Sequence, residues 1–214
     1  LCAKRPETVP RGEASVTSKC LRELIAEADE RSLAASGLAC LERCLPLSAA
    51  DVDALRPLWA GLARGAAAWP VSLASASEAL AVAAVREPAA LDPAASLVRQ
   101  MLDAAPSVWE TEPLREWADD CSVAALELHH RFDAGPGRGE PAAADVVEVL
   151  KGCREGAPAG AGPLVAGELR RQVRVLEILA AGEGGAGLRQ VLGVSTEGRR
   201  VLRAVVSRQA RVRG

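Results

Sequence analysis

Apolar residues recur along this chain at spacings of three and four, the period of one face of an α-helix, and polar or Pro/Gly-rich stretches interrupt them. Residues 1–16 hold Pro6, Pro10 and Gly12, show no period and read as an extended arm. Ser18 then has the character of an N-cap, with Leu21, Leu24, Ile25 and Ala28 on one stripe of a helix to about Glu30. Leu38, Leu41 and Leu45 mark a second helix, which Pro46 ends. Ser48 to Asp51 forms a capping-box variant before Val52, Leu55, Trp59 and Leu62, and Pro57 within that stripe predicts a kink or a split.

Trp69-Pro70 predicts a turn, and Ser75 to Glu78 a capping box within a helix carrying Leu80, Val82 and Val85. Asp92-Pro93 is a start signal for a helix through Leu97, Val98, Met101 and Leu102. Thr111 to Glu116 opens a longer one through Trp117, Cys121, Ala124, Leu128 and Phe132. Asp133 to Pro141 reads as a linker, tightest at 135–140. A short helix around Val146, Val149 and Leu150 follows, then a loose stretch from Gly156 to Pro163. The remainder predicts a strong helix over Leu164–Ala181, a glycine-rich joint at Gly182–Gly187, a short helix around Val191 and a final helix near Glu197–Arg211.

The expected organisation is an arm at 1–16, helical hairpins over 17–134, a linker at 135–140 and a helical region with a basic end over 141–214. Helix pairs beginning near residues 17, 48, 92, 141 and 186 bracket the period of about 40–47 residues of two-helix units. In this the chain resembles HEAT and armadillo-type repeat proteins, a likeness of architecture without a residue-by-residue repeat. The fold class expected is all-α, an irregular array of antiparallel helical hairpins forming a short α-solenoid or a helical bundle.

Composition agrees. Ala makes up about one residue in five, Tyr is absent and Phe132 is the single phenylalanine, whereas sheet cores lean on aromatic and β-branched side chains. The six cysteines are spread without a CxxC pair, which predicts reduced thiols in an intracellular compartment, cytoplasm or organelle matrix. No apolar run reaches the ~20 residues of a membrane span. The chain begins Leu1-Cys2-Ala3 without Met, which reads as a fragment or a processed form.

Candidate chemistry is sparse. Val173 to Gly187 satisfies GxGxxG at Gly182, Gly184 and Gly187. Its Val-Leu-Glu-Ile run resembles the first motif of S-adenosylmethionine-dependent methyltransferases, which implies a strand ending in a cofactor loop. Leu179 stands where that motif has its first Gly, and no acid follows about 20 residues on to hold a ribose. Read as a helix, Leu169, Val173, Leu176 and Leu179 make an unbroken stripe with Gly182 as C-cap, and this is the reading expected. The same glycines do not make a phosphate loop of the Walker type, because Leu188-Arg189 replaces Lys-Ser/Thr. Cys40 and Cys44 with His129 and His130 have ligand chemistry for zinc, yet cysteines four apart on a leucine face are packing residues by pattern. The histidines read as a partly exposed helix end, and Glu112, Glu116, Asp119, Asp120 and Glu127 as a solvated or partner-facing surface. The four tryptophans read as anchors between helices.

Charge separates the two ends. Residues 1–162 carry 16 Lys/Arg against 24 Asp/Glu, whereas residues 163–214 carry 10 Arg against 4 Glu. Beyond Gly182, Arg189, Arg199, Arg200, Arg203, Arg208, Arg211 and Arg213 face only Glu183 and Glu197. Such a stripe suits either an acidic protein surface or a phosphate backbone. Without aromatic residues there it offers no platform for stacked bases. The function expected is therefore a non-catalytic interaction or scaffold subunit of a larger intracellular assembly, with other protein subunits as partners. The alternatives are a structural RNA-associated protein, of organellar ribosomal or RNA-processing type, and a methyltransferase-like fragment. Neither catalytic nor metal residues, nor a cofactor, are expected.

Overall fold

The computed structural model describes residues 19–48, 53–86, 93–134, 143–157, 159–182 and 185–213. The arm, Ser18 and the 135–140 linker lie outside these residues. Among the described residues there are nine α-helices and no strand, so the protein is all-α. The helices are α1 (Leu21–Glu27), α2 (Glu30–Cys44), α3 (Arg56–Arg64), α4 (Trp69–Arg86), α5 (Pro93–Asp103), α6 (Thr111–Ala134), α7 (Ala143–Arg154), α8 (Pro163–Ala181) and α9 (Gly185–Arg213). Short 3-10 turns occupy Leu45–Leu47 and Ala66–Ala68.

Helix α2 is the hub. Every residue from Leu33 to Cys44 is buried, because α6, α8 and α9 as well as α3 and α5 pack around it. A stack in which each unit touches only its sequence neighbours would not bring α9 onto α2. The packing is that of a bundle around one helix, while α3/α4, α5/α6 and α8/α9 remain consecutive packed pairs. Val175, Leu176, Ile178, Leu188 and Val191 share one apolar core with Leu21 through Leu128. A smaller cluster of Leu126, Leu150, Cys153 and Val165 lies under α7.

Several boundaries differ from the pattern-based expectation. Helix α1 stops at Glu27, and Asp29 caps a separate α2 by accepting the Ser32 N–H at 2.8 Å. Cys20 is the N-cap of α1, with Glu23 accepting its backbone N–H at 2.8 Å. Pro57 neither kinks nor splits α3; it sits in the first turn, where the missing N–H has no intrahelical partner to lose. Trp69-Pro70 likewise opens α4, so Ser75 to Glu78 lies within a helix already running. The two short helices expected near Val191 and after Glu197 are one helix of 29 residues. Across the Gly193–Ser195 stretch the backbone stays helical, and Ser195 Oγ donates to the Val191 carbonyl at 2.9 Å instead of capping a new start.

The tryptophans anchor this core. Trp69 packs edge-on to Trp109 (centroids 5.6 Å apart) and to Trp117 (5.9 Å). The indole N–H groups of Trp69 and Trp117 donate to the carbonyls of Pro106 and Met101, each at 2.7 Å.

Candidate functional site

Two features carry chemistry: a buried charged cluster beneath α9, and the outer face of α9 itself. The cluster is built on α2, α6 and α8. Arg43 Nε donates to both Glu168 oxygens, at 3.0 and 2.8 Å, and its Nη2 donates to Oε1 at 2.6 Å. Neither side chain has any exposed surface. Gln172 Nε2 donates to Glu168 Oε1 at 3.0 Å and to the Ser122 carbonyl at 3.3 Å, while Ser122 Oγ donates to Gln172 Oε1 at 2.7 Å. His129 completes the group. Its Nδ1 lies 2.7 Å from the Ala125 carbonyl, which fixes that nitrogen as the donor, and its Nε2 stands 3.7 Å from Glu168 Oε2 without a hydrogen bond.

Burial opposes ionisation of Glu168, but Arg43 and then His129 outweigh it and hold the carboxyl below its ordinary value. Burial also opposes the charge on Arg43, and Glu168 more than restores it. Desolvation pushes the Cys40 thiol up to about 12 and Cys44 and Cys121 well above the ordinary range, so these sulfurs stay protonated at neutral pH. A protonated, buried thiol is a poor nucleophile and a poor metal ligand. Among the described residues, no three His, Cys, Asp or Glu side chains are arranged to hold a metal ion. The cluster reaches no solvent, so a substrate has no atom of it to touch. What it does chemically is tie α2 to α8 and α6.

His129 corrects the expectation of a partly exposed helix end: it is 1% exposed, inside the bundle, and only His130 is half-buried. The α6 helix continues to Ala134, and both histidines lie within it. Residues 173–181 are helix in α8, so the strand that a methyltransferase-type loop needs is not formed there. Gly182 caps α8 with extended backbone (φ −114°, ψ 123°) and does not use the left-handed cap.

The arginines of the basic end divide by environment. Arg199 turns inward, where it pairs with Glu42 of α2, a buried carboxylate that also accepts the Trp59 indole N–H at 3.3 Å. Burial raises the Glu42 pKa, and Arg199 only partly offsets this. Arg189, Arg200, Arg203, Arg208 and Arg211 are exposed and make no ion pair with a described residue. At 100° per residue, Arg189, Arg200, Arg203 and Arg211 fall within about 80° of one another, and Arg208 flanks them. Arg213 ends α9. Among the side chains described, Leu202 is the last buried one of α9; half-exposed Val201 lies next to Arg208, while half-exposed Val205 and Val206 lie on the side turned toward the core. Sequence reasoning found the stripe but not the Arg43–Glu168–His129 cluster, whose members lie 125 residues apart at its central pair and share no motif.

Comparison with protein-family models, with curated proteins and with solved structures matches this chain to none of them. Among the described residues no helix is long and apolar enough to cross a membrane.

Proposed function

We propose that this chain is a non-catalytic interaction subunit of a larger intracellular assembly, and that it holds an acidic protein surface with the outer face of α9. The observation that carries this reading is the set of five exposed arginines, Arg189, Arg200, Arg203, Arg208 and Arg211, without an ion partner among the described residues, while Arg199 and Arg171 are paired. The half-exposed Val201 next to Arg208, with Val205 and Val206 on the adjoining inner side, favours protein over nucleic acid. An amphipathic helix presenting both guanidinium and apolar groups fits a groove that is apolar in its floor and acidic on its rim. A phosphate backbone uses the charges alone. The intracellular setting is supported by the five described cysteines, which stand as free thiols.

The test replaces Arg200, Arg203, Arg208 and Arg211 together by Gln in the full chain, with binding measured to a structured RNA and to proteins cross-linked to the wild-type chain in its own cell. The expected result is loss of cross-linked protein. A structured RNA held by the wild type, and released by the variant with a log–log salt slope flattened by about 0.7–0.9 per lost phosphate contact, would transfer the assignment to RNA.

A further inference from the structure

The outer face of α6 carries the chemical complement of α9. Glu112 is paired with Arg115 and Asp119 with Arg154, whereas Glu116, Asp120 and Glu127 have no ion partner among the described residues. Their spacing places them on one stripe together with Val123, since steps of 4, 3 and 4 residues return to the same side of a helix. Beside that stripe, α5 and α6 enclose a groove of about 270 Å³. Leu97, Met101, Trp117 and Val123 line it, with Asp120 and Glu127 among its polar groups. A groove apolar in its floor and carboxylate-lined at its edge selects a basic amphipathic helix.

We propose that the occupant of this groove is the C-terminal end of α9 from a second copy of the same chain. The proposal rests on the reading of α9 as a protein-contacting face, and names its partner. Two further observations support it. The acids without an ion partner among the described residues run from Glu116 to Glu127 and the arginines without one from Arg200 to Arg211, so each set spans a rise of about 16 Å along its helix. Val201, half-exposed and next to Arg208 on α9, supplies the apolar contact that Met101, Leu97 and Val123 would cover, with half-exposed Val205 and Val206 on the adjoining inner side. Within one molecule α9 packs on α2 and α8, while Glu116 and Asp120 remain exposed and Glu127 half-exposed, so α9 does not satisfy them in its own chain. Two copies exchanging these ends make two identical contacts and close as a two-fold pair.

The experiment measures association of the full chain by sedimentation velocity, from low to high salt, with two charge-reversed variants. One carries Glu116→Lys, Asp120→Lys and Glu127→Lys; the other carries Arg200→Glu, Arg203→Glu, Arg208→Glu and Arg211→Glu. The wild type is expected to dimerise more weakly as salt rises, and each variant alone to lose roughly tenfold or more in affinity. Mixing the two variants should restore a heterodimer, because reversed α9 meets reversed groove and native α9 meets native groove. Circular dichroism checks that each variant folds. If the α6 variant does not, a labelled peptide of residues 199–213 is titrated into the chain carrying the α9 reversal, whose groove is intact; if the α9 variant does not, the same peptide is titrated into the wild type, where it must compete with self-association. A wild type that stays monomeric at about 100 µM and low salt overturns the proposal, as does a mixture that fails to associate. A monomeric chain whose groove binds the peptide also overturns it, because the groove then serves another protein's helix. None of these failures touches the α9 reading, which stands or falls on loss of the cross-linked protein when α9 is neutralised.

Discussion

Arg43 on α2 grips Glu168 on α8 through three hydrogen bonds of 2.6 to 3.0 Å, with neither side chain exposed to solvent. Removing one partner strands the other's charge in the bundle, whereas removing both leaves apolar volume. Arg43→Met should therefore lower the unfolding free energy by about 3–5 kcal/mol, and Arg43→Met with Glu168→Leu should recover most of that loss. Urea unfolding of the two single variants and the double one measures the coupling. A double variant no more stable than Arg43→Met would show that the pair is not a unit.

Two buried carboxylates shift in opposite directions, and this gives stability an opposite pH signature at each. Glu168 is held below its ordinary 4.5 despite burial, chiefly by Arg43, so its contribution is complete above that value and is lost as pH falls through the lower folded pKa. Glu42 is raised above 4.5 by burial, so its contribution is present below that value and is lost as pH rises through the higher folded pKa. Relative to wild type, Glu168→Gln should lose stability as pH rises toward 4.5, and Glu42→Gln should gain stability as pH rises above it. Thermal melts between about pH 3 and pH 7 read both slopes, and parallel profiles would contradict the assignment.

Gly198 lies where α9 crosses Arg43, and a Cβ there would meet the arginine's Cγ and Cδ; Gly193, on the same helix, has open space. Because Glu168 pins Arg43, the arginine stem cannot swing aside. Gly198→Ala should cost about 1–3 kcal/mol through overpacking, while Gly193→Ala should gain up to about 1 kcal/mol from helix propensity. Equal effects at the two sites in chemical denaturation would mean that α9 does not approach α2 this closely.

Asp133, near the end of α6, caps α8 across the bundle, accepting the Leu164 N–H at 3.0 Å and the Val165 N–H at 2.9 Å. Asp133→Ala should destabilise the protein by about 1 kcal/mol, and Asp133→Asn by less, because the amide oxygen still accepts. Hydrogen exchange at Leu164 and Val165 should speed up in the Ala variant. Unchanged protection there would remove Asp133 from the cap.

Much of this fold was legible in the sequence, because the period of apolar residues depends only on which side of a local element faces other side chains. The leucines of α2, the Trp117-to-Leu128 stripe of α6 and the helical reading of Leu164–Ala181 all follow from that. The start of α4 was misplaced because a proline is compatible with either a break or a first turn, and the choice depends on where the preceding chain goes; the expected cap at Ser48–Asp51 lies largely outside the described residues. The gap before Glu197 closed because Gly193 and Ser195 are tolerated within a helix whose other face is packed on α2 and α8. The arginine stripe was visible because charges on one helix keep their spacing. Arg199's inward turn to Glu42 was not, since its partner lies 157 residues away.

By itself, then, the sequence determined the all-α class, the principal helices and the separation of charge, all of which arise from neighbours within a few residues of one another. Tertiary structure alone decided that α2 is enclosed from Leu33 to Cys44, that Arg43, Glu168 and His129 meet, and which arginines find a partner among the described residues. Those outcomes depend on how distant helices cross, and a buried ion pair exists only where both its members are brought out of water together.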